Sequence, residues 1–371
     1  MATLNFTNPS ISFSDAGLAG DKTLYPTALE FARSGEPVLF VAQQNGTIWR
    51  YVVEKDGAGF AVSKAATPSQ IAPAALKIDA IKNGATNYND DGRLGPQDVR
   101  QVTGLAVREE VIEGARRDVL YVTSSDHRIG GGDKATDYNI DTNSSQIHKL
   151  VLDQHTGAVI SDVALVRGLP RSPENHSANG LDIATDPETG DTILFVAQGA
   201  HTNKGAPSNN MVGIADTALT GAILRINLTE LERYDVRTDG MGEKFILDLP
   251  TLNDPARADV DLAELKIENL AADPNFALDD NGTGANGKLL PDWAGGAMGF
   301  NQAKITSHVL VSEGGQLRLV ANPLTVMQPG HRNPYDVLVT EAGEVVTWDN
   351  GPNGGWGGQN LSFGDGKVVD D

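Results

Sequence analysis

Residues Pro329 to Gly358 read PGHRNPYDVLVTEAGEVVTWDNGPNGGWGG. A turn carrying His331, Arg332 and Asn333 leads into an apolar-rich run from Tyr335 to Trp348. A second turn, Asp349 to Gly358, is made of glycine and amide residues. Short apolar runs bounded by turn residues predict paired strands rather than a helix. Glycine lets a backbone come close to a ligand, and loops on a β scaffold are where polar sites are presented. The stretch therefore predicts a hairpin that carries half of a binding site at one end.

The same pattern occurs earlier in the chain. Thr27 to Phe31 leads to Val38–Val41, Thr103 to Val107 leads to Val119–Val122, and Asn179 to Ile183 leads to Ile193–Val196, as Tyr335 to Val339 leads to Glu344–Trp348. Leu29, Leu105, Leu181 and Val337 are 76, 76 and 156 residues apart. A period held over several copies marks a repeat architecture. Third strands are expected at Gly46–Val53, Ser145–Leu152 and Gly221–Leu228, and a further hairpin at His308–Val320 turning on Gly314 and Gly315.

These copies predict an all-β fold of β-propeller type, one domain over 1–371, with copies starting near 27, 103, 179, 257 and 335. The copy near 257 is blurred: Asp259 to Ala272 reads as a short helix or an irregular blade entry. A four-stranded blade needs roughly 40 to 45 residues, so a period of 76 leaves long loops. A closed ring of copies at that period would exceed 371 residues, so the expectation is a propeller incomplete at its C-terminus, in a fragment of a longer chain. The plainer alternative is a sandwich of unrelated hairpins.

Composition agrees with many short strands. The chain has 371 residues with 41 Gly and 18 Pro, a composition suited to tight turns. A net charge of −20 leaves no basic stripe to displace counterions, which excludes nucleic acid as the expected partner. There is no cysteine, so neither a disulfide framework nor a thiolate metal site is available. No signal peptide is visible in Met1 to Gly20, and no run approaches the roughly eighteen apolar residues of a membrane span.

Two motifs carry a family resemblance. The GHRNP turn with its following strand pair and Gly-Pro turn, together with NHSANGL at Asn175 to Leu181, resembles the soluble PQQ-dependent glucose/sorbosone dehydrogenases, six-bladed β-propeller quinoproteins. The resemblance implies an oxidoreductase that moves hydride from an aldose or related sugar to pyrroloquinoline quinone (PQQ), with Ca2+ as second cofactor. It implies a secreted or periplasmic, bacterial-type location, and leaves the electron acceptor open.

The residues support these roles to different degrees. His176, on a loop, titrates near neutral pH and can take a proton from an alcohol; the resemblance makes it the catalytic base. The plainer reading is a histidine that satisfies loop backbone. Arg332 and Asn333 offer a guanidinium fork and an amide, which suit carboxylates and carbonyls; by resemblance they hold the quinone. Gln101 matches a glutamine near substrate, although Val102 and Thr103 replace the glycines of that pattern. The carbonyls of Gly351 and Pro352 correspond to calcium ligands in the resembling enzymes. His201, at the end of a repeat strand, is expected on the same rim as His176, while His127, His148 and His155 have no evident partner.

A separate signal is NYNDDGRLGPQD, Asn87 to Asp98. Oxygen side chains at Asn87, Asn89 and Asp91, glycine at Gly92 and an acid at Asp98 stand in the register of an EF-hand-type calcium loop. An Asx-rich turn explains the same residues. Two rivals to the sugar dehydrogenase remain: a non-catalytic, calcium-stabilised propeller serving as a binding or adhesion module, and a calcium-dependent propeller hydrolase with carboxylates in its central channel.

Overall fold

The computed structural model describes residues 25–33, 37–56, 59–62, 75–89, 94–95, 100–129, 142–153, 156–203, 205, 211, 216, 219–249, 308–352, 361–362 and 368–369. Within them the chain is β apart from short helices at Ala80–Gly84 and Leu228–Leu231. No helix among the described residues is long and apolar enough to cross a membrane.

The first sheet contains β1 (Pro26–Phe31), β2 (Val38–Gln43) and β3 (Ile48–Asp56), with β4 (Gly59–Val62) and β5 (Ala75–Ile78) both paired to β3. The second is an antiparallel meander of β6 (Arg100–Ile112), β7 (Ala115–Asp126), β8 (Ser145–Leu152) and β9 (Val159–Leu169). The third begins with β10 (Ala178–Thr185), β11 (Thr192–Gln198) and β12 (Ala222–Asn227). The chain then returns to the second sheet, where β13 (Arg237–Thr238) pairs with β14 (Lys244–Asp248) and β14 lies parallel to β9. After the hairpin β15 (His308–Glu313) and β16 (Gln316–Ala321), β17 (Leu324–Pro329) joins β12 as fourth strand of the third sheet. A last hairpin, β18 (Pro334–Val339) and β19 (Val345–Asp349), starts a further sheet.

The sheets stack face to face in chain order. Val38, Phe40 and Ile48 of the first meet Val102, Leu120 and Leu150 of the second in one core. Ala106, Tyr121 and Ile147 of the second meet Leu181, Leu194 and Leu224 of the third in another. Val119–Val122 and Ile193–Ala197 are almost wholly buried, because their strands are covered on both faces. Each such Val, Leu or Ile contributes roughly 1.5 to 3 kcal/mol on burial. Against the third sheet the last hairpin fully buries Val337, with Val339 and Val345 half-buried, so it has few apolar contacts to hold it.

Two equivalent glycines show how successive copies meet. A Cβ on Gly104 would strike the backbone oxygen of Asn179 in the next copy. A Cβ on Gly180, 76 residues later, would strike Asp336 in the copy after that. The step from the copy at 179 to the copy at 335 is thus the same step as from 103 to 179, with no sheet between.

The copy expected near 257, with its helix or blade entry at 259–272, lies outside the described residues. Within the 156-residue interval the chain visits the second sheet through β14 before β17 joins the third as its fourth strand. The hairpin expected at His308–Val320 is present as β15 and β16. β18 comes back to β1, with the Tyr335 hydroxyl 3.4 Å from the Thr27 carbonyl oxygen, and among the described residues the sheets do not close into a ring.

Candidate functional site

His176 stands on the loop between β9 and β10. Its backbone N–H donates to Ser172 Oγ at 2.9 Å, and its carbonyl accepts from Ser172 N at 2.7 Å, closing the loop on itself. Its Nδ1 lies 2.9 Å from the Ala200 carbonyl oxygen. A carbonyl can only accept, so Nδ1 carries the proton of the neutral ring and Nε2 presents a lone pair. The side chain is 1% exposed. Burial first, then the charge of Arg332, push the imidazole pKa down to about 4; the Ala200 hydrogen bond opposes this, and the charges of Arg171 and His201 add to it.

Arg332 and Asn333 sit on the turn between β17 and β18. Asp349, at the end of β19, clamps that turn by accepting from the backbone N–H of Arg332 at 2.9 Å and of Asn333 at 2.7 Å. Asn350 N donates to the Asn333 carbonyl at 3.2 Å, which brings the exposed Gly351-Pro352 segment to the same place. Arg332 Nε donates to Asn203 Oδ1 at 2.7 Å. Asn333 Oδ1 accepts from Asn179 Nδ2 at 2.8 Å, and the same amide donates to the Pro334 carbonyl at 2.8 Å.

The two halves therefore meet. Ala200 receives His176 on its carbonyl and donates its N–H to the Arg332 carbonyl at 2.7 Å. His201 is fully buried, its backbone N–H on Asp216 Oδ1 at 2.7 Å, and its ring is close enough to His176 to lower the pKa there.

Glu174 is the acid of this group. Its Oε2 lies 3.4 Å from His176 Nε2, and its side chain is 16% exposed. Burial raises its pKa, and the charges of Arg332 and Arg171 oppose that. Arg171 is fully buried and its pKa is pushed down to about 10, chiefly by burial. Its guanidinium donates to the carbonyls of Asp126 at 3.2 Å, Arg128 at 2.8 Å and Ser172.

Gln101 is buried on β6 opposite Ser125, and its Oε1 accepts no hydrogen bond among the described residues. Asn87 Oδ1 accepts from Arg100 Nη1 at 3.0 Å and Asn89 Oδ1 from Arg128 Nη1 at 2.9 Å. Both oxygens proposed for calcium thus face guanidinium groups, while Asp91 and Asp98 lie outside the described residues. Among the described residues no group of three or more His, Cys, Asp or Glu side chains is arranged to hold a metal ion. His148, without an evident partner in the sequence, is held between Asp162 at 3.0 Å and Gln146 at 2.8 Å, and His127 lies 3.9 Å from Asp126. His155 lies outside the described residues.

Sequence reasoning missed Glu174, Arg171, Asn179 and the Ala200 carbonyl. Asn179 was within reach of notice, since it stands with His176 in NHSANGL; Glu174 lies just outside that motif.

The donors on the Arg332 turn suit an anionic, carbonyl-bearing ligand. Among the described residues the terminal amino groups of Arg332 and the Asn333 amide nitrogen donate no hydrogen bond, and buried His331 Nε2 has no partner.

No family model matches the chain, and no curated protein matches it. Among solved structures it is similar to the crystal structure of a Thermus thermophilus protein provisionally described as an oxidoreductase (glucose dehydrogenase). The identity is 14% and the TM-score 0.28, over 86% of this chain and 89% of that one.

Proposed function

We propose that this chain is a quinoprotein-type oxidoreductase acting on an aldose or related sugar, on a scaffold of the six-bladed propeller type. The observation that carries the reading is the meeting of His176 with Arg332 and Asn333 through Ala200 and Asn179. Bound PQQ would supply the hydride acceptor, and Ca2+, on the Gly351 and Pro352 carbonyls, would polarise it. Arg332 and Asn333 would hold the quinone's carboxylates and carbonyls through donors not otherwise used.

The chain's own chemistry is proton removal. Nδ1 is fixed on Ala200, so Nε2 of His176 accepts the substrate hydroxyl proton while hydride leaves the adjacent carbon. An uncharged imidazole is the form required, and the low pKa of His176 keeps it uncharged at neutral pH.

One observation favours a second reading, the propeller hydrolase. Glu30, Asp182 and Asp336, on the inner strands of three sheets, are near enough to act on one another's charge. However, Asp182 already accepts from Ile183 N at 2.8 Å and Val339 N at 2.7 Å, and Asp336 from Val337 N at 2.9 Å. Asp182 thus ties β10 to β18, and Asp336 is engaged by the backbone of its own neighbour.

The test is reconstitution with Ca2+ and PQQ, followed by gel filtration and dye reduction with a panel of aldoses and a lactone control. Quinone absorbance that travels with the protein and sugar-dependent dye reduction are expected. His176→Ala should retain quinone but lose turnover. No retention would support a binding module, and lactone hydrolysis the hydrolase.

A further inference from the structure

His176 Nε2 does not face an open mouth alone. Glu174 Oε2 lies 3.4 Å away, and both side chains are buried or nearly so. With Nδ1–H on Ala200, an uncharged Nε2 and an ionised carboxylate are two acceptors set against each other, a pair that gains when one proton comes between them. The remaining charged and titratable groups facing His176 are Arg332 from the β17–β18 turn, Arg171 from its own loop and His201 from the loop after β11. The two guanidinium groups oppose a charge on the imidazole; Glu174 favours one.

We propose that Glu174 is a positioning residue that stabilises His176 as imidazolium after Nε2 has taken a proton, offsetting Arg332 and Arg171. The proposal rests on His176 being the base of the proposed reaction. In that step the hydroxyl O–H bond breaks and an Nε2–H bond forms, while hydride goes to the quinone. The imidazolium then faces the Glu174 carboxylate as an ion pair, and the proton leaves to solvent from Glu174, the more exposed of the two.

The experiment needs no cofactor and no turnover, so it is decided separately from the enzyme assignment. In the full chain with isotope-labelled histidine, the His176 ring would be assigned by its loss in His176→Gln and titrated by NMR. Glu174→Gln should lower the His176 midpoint by about one pH unit, because an opposite charge within about 4 to 6 Å favours the charged form. Glu174→Asp should restore part of that shift, and Arg332→Gln should move the midpoint upward. A midpoint unchanged or raised by Glu174→Gln overturns the proposal, as does a His176 that stays neutral in both proteins down to the acid limit of folding. If turnover is also measured, Glu174→Gln should lower kcat with little change in KM.

Discussion

His176 and Arg332, 156 residues apart in the chain, are joined through the backbone of one residue: Ala200 accepts from His176 Nδ1 at 2.9 Å and donates to the Arg332 carbonyl at 2.7 Å. Neighbouring Gly199 leaves the space for this. A Cβ there would stand 2.6 Å from the His176 Cβ and 2.8 Å from Asn333 Oδ1. Gly199→Ala should therefore cost about 1 to 3 kcal/mol of stability by overpacking. It should also weaken the proposed quinone retention, since it separates the groups proposed to share one ligand. Thermal unfolding and retention after gel filtration check the two effects.

His176 gives stability a pH dependence with a definite sign. Its folded pKa of about 4 lies below the ordinary value of 6.5, so between these values the unfolded chain binds more protons. Stability conferred by this residue is present above about 6.5 and is lost as pH falls toward 4. The loss is at most on the order of 3 kcal/mol, taking about 1.4 kcal/mol per unit. In urea unfolding at a series of pH values, His176→Gln should flatten this part of the profile. A profile identical to the parent's in that window would contradict a buried neutral imidazole.

Glu30 acts with the opposite sign. Burial, with Asp182 and Asp336 nearby, raises its pKa from 4.5 to about 7 despite Arg33. The folded chain then binds more protons than the unfolded chain between those values, and stability falls as pH rises through them. Glu30→Gln should raise Tm at pH 8 and leave it nearly unchanged at pH 4, a comparison differential scanning calorimetry can make directly.

What could be read from the chain alone follows a physical divide. Strands were legible because pleated, half-buried runs impose apolar spacing, and the glycine-bearing inner strands fell at the expected 76-residue period. His176, Arg332 and Asn333 were legible because each stands in a short motif with its own turn chemistry. Glu174 was not, since a carboxylate in a loop of so acidic a chain has no distinguishing mark until the fold sets it against Nε2. The same reason hid the guanidinium partners of Asn87 and Asn89, whose spacing resembles a calcium loop. Ala200 acts through its backbone alone, for which no side-chain pattern exists.

Asn179 couples the halves by a second route, its amide donating to Asn333 Oδ1 and to the Pro334 carbonyl, both at 2.8 Å. Asn179→Ala leaves the Pro334 acceptor, and the Asn333 oxygen beside it, without that donor; an unsatisfied buried group costs about 1 to 3 kcal/mol. Asn179→Asp exchanges donor for acceptor at the same size and should be at least as harmful. Equilibrium unfolding of both variants tests the order.

Asp349 distinguishes a clamp from a metal ligand. The sequence DNGPN suggests side-chain oxygens beside the Gly351 and Pro352 carbonyls, yet both Asp349 oxygens accept backbone N–H groups, from Arg332 and Asn333. Few apolar contacts hold the β18–β19 hairpin, so this clamp sets where the Arg332 guanidinium points. Asp349→Ala should cost about 1 to 3 kcal/mol through two unmatched donors and weaken quinone retention. Calcium affinity, measured by titration of the apoprotein, should change little. If calcium affinity falls sharply while retention and stability hold, Asp349 serves the ion and not the turn.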